Sequence, residues 1–95
     1  EKFREQFRKT PLWRPKRRGI LRNAAIALGN KPHRNNLDAL ALGLSDTEPL
    51  VRGASAWALG QHAFDEAREI LRIAKPSETQ DEVREEIAES ISRLN

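Results

Sequence analysis

Four cations fall within five residues near the start of a predicted helix: Arg14, Lys16, Arg17 and Arg18. Guanidinium groups, an ammonium group and the free N–H groups of a helix's first turn all bind phosphate well. Trp13 lies beside this run and could stack on a base or a ribose, or pack against Phe7 and the following helix. The run therefore predicts a nucleic-acid contact, with a solvated basic surface as the alternative.

The charge of the 95-residue chain supports that interpretation because it is very unevenly distributed. The formal net charge is +3, yet residues 1–34 hold eleven of the 17 Lys and Arg residues and only two of the 14 acids. Residues 35–95 are correspondingly acidic. This asymmetry favours a basic surface directed at a polyanion. The two halves could instead attract each other.

Residues able to carry out catalysis are scarce. The chain has no Cys, which excludes disulfides, thiolate metal sites and cysteine nucleophiles within it. His33 and His62 are far apart in sequence and are interpreted as ordinary loop histidines. Paired acids such as Glu85 and Glu86 fit a solvated helix face. We expect no catalytic site, no metal and no cofactor in this chain.

The elements that position the cations are predicted to be helices only. Apolar residues recur with helical spacing in six stretches, and no sustained strand-like alternation occurs. The predicted helices span about 2–9, 15–29, 36–44, 48–61, 64–74 and 80–94. The first would place Phe3 and Phe7 on one face. Short connections between the helices predict antiparallel neighbours.

Capping signals define most of the predicted helix ends. Gly29-Asn30 is typical of a C-cap. The predicted N-caps are Asn35 or Asn36 for the third helix, Asp46 or Thr47 for the fourth, and the Thr79-x-x-Glu82 capping box for the sixth.

The helices repeat with a period of about 30 to 32 residues. Ala27-Leu28-Gly29 recurs as Ala58-Leu59-Gly60, and Val51-Arg52 recurs as Val83-Arg84. Two helices per unit at this period indicate an all-α solenoid of about six helices. The pattern DxxPxVRxxSxxAL from Asp46 resembles the HEAT family in its short form, which implies three α-α repeats.

Helix faces distinguish an inner layer from an end. The second and fourth helices are small or apolar on several sides, which suits an inner layer. The sixth has only a narrow stripe, Val83, Ile87, Ile91 and Leu94, as expected of a terminal repeat. We expect residues 1–95 to form a single domain, the C-terminal fragment of a larger protein.

Acids and arginines recur six residues apart at the turns between paired helices. Asp46 precedes Arg52 as Glu78 precedes Arg84, and we predict that each pair fixes its own turn. Arg22 occupies the matching position in the first unit but follows Lys16. Its partner must come from elsewhere, either from a ligand or from Asp46 of the next repeat.

A more specific resemblance covers residues 8–30. The sequence TPLWRPKRRGILRNAAIALGN, residues 10–30, resembles the C-terminal region of epoxyqueuosine reductases. The resemblance implies a parent protein that uses cobalamin and two [4Fe-4S] clusters, held upstream of this chain. It further implies that the parent reduces epoxyqueuosine in the tRNA anticodon loop to queuosine, and that this tail helps to hold the tRNA.

The sequence thus predicts a HEAT-like domain that binds a tRNA anticodon stem–loop. The residues expected to bind nucleic acid are Arg14, Lys16, Arg17, Arg18, Arg22 and Asn23. The alternative is a protein-interaction scaffold whose concave helix face holds a peptide or docks on its own upstream catalytic domain. We expect a monomer in the cytoplasm with no membrane partner.

Overall fold

The computed structural model describes the backbone of residues 13–95 and the side chains of residues 16–95. Its five α-helices are α1 (Trp13–Asn30), α2 (Leu37–Gly43), α3 (Pro49–Gly60), α4 (Asp65–Ala74) and α5 (Asp81–Leu94). A 3-10 turn, Arg34–Asn36, leads into α2, and another, Lys75–Ser77, follows α4. No strand occurs in residues 13–95, which confirms the all-α prediction. The predicted first helix, at about 2–9, lies outside the described residues.

The helices form two layers. The most extensive contacts are those of α3 with α1 and of α3 with α5, while α2 packs on α3 and α4 packs on α5. Helices α1 and α3 are therefore in the inner layer, as predicted, together with α5, and α2 and α4 form the outer layer. The fully buried large residues come from both layers and include Leu21, Leu40, Val51, Leu59, Leu71 and Ile87.

Helix α3 is the centre of the domain. It buries six of its twelve residues, including Val51, Ala56 and Leu59, because it has neighbours on several sides. Helix α5 buries only Val83, Ile87 and Ser90 of its fourteen. This contrast confirms the predicted narrow stripe of the last helix.

Two glycines allow the inner helices to approach closely. A Cβ on Gly29 would lie 3.0 Å from the Ala58 Cα, and one on Gly60 would lie 3.1 Å from the Ser90 Cα. The Ala-Leu-Gly recurrence therefore marks the contacts between successive repeats. The predicted C-cap at Gly29-Asn30 is wrong, because α1 continues through Asn30 and no described glycine has a positive φ.

The predicted N-caps are only partly correct. Asn36 is the N-cap residue of α2, although its side chain makes no capping hydrogen bond. Helices α3 and α5 instead start after Glu48 and Gln80, again without a side-chain cap. The predicted capping box at Thr79 is therefore wrong, because the Glu78 carboxylate accepts the backbone N–H groups of Thr79 and Gln80 at this turn.

None of the described helices combines the length and the apolar composition needed to cross a membrane.

Candidate nucleic-acid interface and inner groove

The contact between α1 and α3 contains a buried ion pair. Arg17, from the first half of α1, donates two hydrogen bonds to the Asp46 carboxylate, one of them at 3.1 Å from Nη1 to Oδ2. The Asp46 side chain is 1% exposed. Its Oδ2 also accepts the backbone N–H of Glu48 at 2.9 Å. One carboxylate therefore bonds both α1, through Arg17, and its own turn.

The contact between α3 and α5 has a second, more extensive pair. Arg52 donates from Nε to Oε1 of Glu78 at 2.8 Å and from Nη2 to Oε2 at 3.0 Å. Its Nη1 donates to the backbone carbonyls of Asp46 and Thr47 at 2.9 and 3.2 Å. Arg52 therefore joins its own turn to the next one.

Glu78 is stabilised as a carboxylate. Burial alone would raise the pKa of Glu78, but the Arg52 guanidinium and the backbone N–H groups of Gln80 and Thr79 outweigh burial and lower it. Those two N–H groups lie 2.9 and 3.1 Å from Oε2. A bidentate arginine combined with backbone donors is the arrangement that most favours an ionised carboxylate.

The prediction that each acid pairs with the arginine six residues later is wrong. Asp46 and Glu78 bind arginines of the preceding repeat, Arg17 and Arg52, because each carboxylate lies in a turn that faces the preceding inner helix. Arg52 does contact its own turn, but through main-chain carbonyls. Arg84 is exposed and makes no ion pair in residues 16–95.

Arg22 does not pair with Asp46 either. Its Nε donates to Oδ1 of the adjacent Asn23 at 3.1 Å, and its terminal nitrogens have no hydrogen-bond partner among the described residues. Arg22 is half-buried, whereas Asn23 is exposed.

The predicted binding cations separate into two groups. Lys16 and Arg18 are exposed and make no ion pair with any described residue, whereas Arg17 is half-buried on Asp46. Arg14 lies in the first turn of α1, and its side chain, like that of Trp13, lies outside the described part. The first turn of α1 contains no acid. Arg18 and Arg22 are four residues apart and so share a helix face.

The inner helices leave a groove of about 690 Å³ beside these cations. It follows the N-terminal parts of α3 and α5, and Trp57, which packs beside Gly29, lies in its lining. Its apolar lining includes Ile26, Leu50, Ala54, Trp57 and Val83. The alternative prediction named a concave helix face but none of the residues that line this groove. A leucine outside the core stripe of α3, Leu50, and a glycine in the middle of that helix, Gly53, were its signals in the sequence.

The polar lining of the groove has opposite charges at its two sides. Arg22 lies on the α1 side, and Glu82 and Glu86 lie on the α5 side. Oε2 of Glu86 is buried without a hydrogen-bond partner in the described part of the chain. The nearest cation is Arg93, whose Nη1 is 3.7 Å away.

His62 is a structural residue of the core. His62, predicted to be an ordinary loop residue, is fully buried: its Nδ1 lies 2.8 Å from the Ala58 carbonyl oxygen and its Nε2 lies 3.2 Å from Nδ2 of Asn36. Asn36 also donates to the carbonyls of Leu28 and Lys31, which ties the end of α1 to the end of α3. Residues 16–95 contain no group of three or more His, Cys, Asp or Glu side chains that could hold a metal ion.

Comparison with known proteins identifies a family and a relative of this chain. The family model for HEAT repeats matches residues 16–92. An uncharacterized protein from the gldA 3′ region of Geobacillus stearothermophilus is 37% identical over 83 residues. That match covers 86% of this chain and 38% of the relative, so the chain spans well under half of the relative's length. No solved structure matches.

Proposed function

Because this chain belongs to the HEAT repeat family, whose role is protein interaction or scaffolding, we propose that it serves as a binding domain whose ligand at α1 is RNA. The observation that carries the proposal is a pair of exposed cations, Lys16 and Arg18, with no acid bound to them among the described residues. Phosphate is the ligand that such a surface attracts most strongly.

The geometry suggests which of the predicted residues would bind. Lys16 and Arg18 are free to reach phosphate, and the terminal nitrogens of Arg22 are available next to the exposed amide of Asn23. Arg17 already bonds Asp46, so its contribution would be mainly to hold α1 in place. Arg14 lies one turn before Arg18 on the same helix and would extend the basic face.

The resemblance of residues 8–30 to epoxyqueuosine reductases supplies the finer proposal. The parent protein would reduce epoxyqueuosine in tRNA to queuosine in the cytoplasm, and this domain would hold the anticodon stem–loop for a catalytic domain elsewhere in the protein. The iron–sulfur clusters do not fit the residues of this chain, which has no Cys to ligate them. Clusters and cobalamin would belong to that catalytic domain.

RNA binding can be tested with a labelled anticodon stem–loop and fluorescence anisotropy. We expect a Kd of about 1 to 100 µM at physiological salt, the range of non-specific phosphate binding. Changing Lys16, Arg18 and Arg22 to Gln should abolish measurable binding. Each lost phosphate contact should flatten the plot of log K against log salt by about one unit.

The matched control removes three exposed cations that also lack partners: Arg72, Lys75 and Arg84 to Gln. This variant loses the same charge from α4, from the 3-10 turn that follows it and from α5. If both triple variants bind the stem–loop equally, net charge alone explains the affinity and the α1 site is refuted. Conversion of epoxyqueuosine to queuosine in tRNA by the full-length protein would test the parent's activity separately.

A further inference from the structure

The groove between the inner helices has an apolar floor that nothing in the described chain covers. Leu50 is 44% exposed, and Trp57 and Ile26 are only half-buried beside it. A Cβ built on Gly53 would meet no atom within 4 Å, so the floor has an open space at its centre. An exposed leucine beside an unfilled, tryptophan-lined depression is suited to an apolar side chain from a partner.

The charges of the groove indicate what should flank that side chain. The α5 side presents two carboxylates, Glu82 and Glu86. Oε2 of Glu86 is buried, and among the described residues it has an ion pair with Arg93 at 3.7 Å, too long for a hydrogen bond, but no hydrogen-bond donor. A buried acceptor of this kind is costly unless a donor satisfies it. The α1 side presents the free terminal nitrogens of Arg22. A cation is therefore favoured at one side of the groove and an anion at the other.

These features disfavour RNA as the occupant. A nucleic-acid backbone placed across the groove would bring its phosphates next to the carboxylates of Glu82 and Glu86. These groups all carry negative charge, so they would repel each other. The proposed RNA surface is centred on Lys16 and Arg18, which do not line the groove, and it shares only Arg22 with the groove.

We propose that the groove binds a protein segment with an apolar anchor over Gly53, a lysine or arginine directed at Glu82 and Glu86, and an acid directed at Arg22. Packed helices lie about 8 to 10 Å apart, so the path from α1 to α5 is roughly 20 Å long. About six residues of extended chain cover that distance. The proposal stands independently of RNA binding at Lys16 and Arg18.

The first test uses four fluorescein-labelled peptides of six residues. Three share a central pair of leucines and differ in their flanks: one acidic and one basic, both acidic, or both basic. The fourth has mixed flanks around two alanines. The mixed-flank leucine peptide should bind at least tenfold more tightly than the alanine peptide, because leucine burial supplies most of the affinity. Equal binding of all four would overturn the proposal.

The second test blocks the floor without disturbing the fold. Gly53→Phe should fill the open space and abolish binding of the mixed-flank peptide, while the melting temperature stays the same or rises, since glycine is a poor helix former. Gly19→Phe is the control, because Gly19 is also a helical glycine with no atom within 4 Å of its Cβ but lies outside the groove. Unchanged peptide binding by a folded Gly53→Phe variant would refute the site.

The third test exchanges a charge. Glu86→Lys should weaken the mixed-flank peptide about tenfold and make the peptide with two acidic flanks the preferred ligand. Glu85→Lys, at an exposed position that does not line the groove, should leave the order of peptides unchanged. If the two variants behave alike, the interaction is with the overall charge rather than with the groove. Loss of RNA binding in Gly53→Phe would assign the groove to RNA instead.

Discussion

The two contacts between successive inner helices use the same chemistry with different geometry. At the α1–α3 contact, Arg17 reaches an aspartate across 29 residues, and at the α3–α5 contact, Arg52 reaches a glutamate across 26. Arg52 also bonds two carbonyls of the turn just before its own helix, α3. Arg17, by contrast, is separated in sequence from the turn that it bonds by the rest of α1 and by α2. At the second contact, Arg52 therefore links two turns, the one before α3 and the one before α5.

The difference has a consequence for function. In α1, the arginine at the position that matches Arg52 is Arg22, and it faces the groove rather than Asp46. Arg17, five residues earlier, takes over the structural bond. Because Arg17 makes the structural bond, Arg22 is left available for a ligand. At the α3–α5 contact, the matching arginine, Arg52, is used for the structural bond itself.

The largest effect on stability should come from Arg52. Arg52→Ala would leave Glu78, whose side chain is 4% exposed, as a buried carboxylate without its cation. Breaking such a pair costs about 3 to 5 kcal/mol, and here two bonds to carbonyls are lost as well. Urea unfolding should show a decrease of this size in the free energy of unfolding.

The Arg17→Ala variant tests whether the two contacts differ as proposed. Arg17→Ala would also leave a buried carboxylate, Asp46, without this guanidinium, but no described hydrogen bond joins Arg17 to a carbonyl of the turn, so its removal should cost less, about 2 kcal/mol. Asp46 would retain the N–H of Glu48. Equal losses for the two arginines would contradict the comparison.

A smaller loss is expected where the inner helices touch. In Gly60→Ala, the new methyl group would lie 2.7 Å from Oγ and 2.8 Å from Cβ of Ser90. Overpacking of this kind costs about 1 to 3 kcal/mol, partly offset by about 1 kcal/mol from better helix propensity. Combining it with Ser90→Gly should cost less than the sum of the single changes, as a thermal double-mutant cycle would show. Strict additivity would mean that the two residues do not meet.

The acid limb of the stability profile should also report on the α3–α5 contact. Because the pKa of Glu78 is lower in the folded state than in the unfolded state, its contribution is fully present above the unfolded pKa of about 4.3. It is lost as pH falls through the folded pKa. Urea midpoints measured from pH 6 down to pH 2 should therefore fall less steeply in Glu78→Gln than in the parent. Parallel curves would argue against this carboxylate.

The sequence predicted the fold well and the contacts poorly, for identifiable reasons. Helical periodicity and the Ala-Leu-Gly recurrence depend on local spacing, so they indicated the solenoid and its inner layer. The partners of Asp46 and Glu78 depend on which helix lies beside each turn, and a spacing of six residues pointed to the wrong arginine. A concave helix face was one of the predicted alternatives, but the lining of the groove could not be predicted because three helices form it, although Leu50 and Gly53 marked it.

The smallest predicted effect separates glycines that serve a contact from those that do not. Gly53 lies in the interior of α3 with open space at its Cβ, so Gly53→Ala should stabilise the domain by about 0.5 to 1 kcal/mol through helix propensity alone. Gly19→Ala, in α1, should behave in the same way. Differential scanning calorimetry would show both melting temperatures rising by a few degrees, against a fall for Gly60→Ala. A destabilised Gly53→Ala would mean that the floor of the groove is packed closely by part of the protein, which contradicts an open docking site.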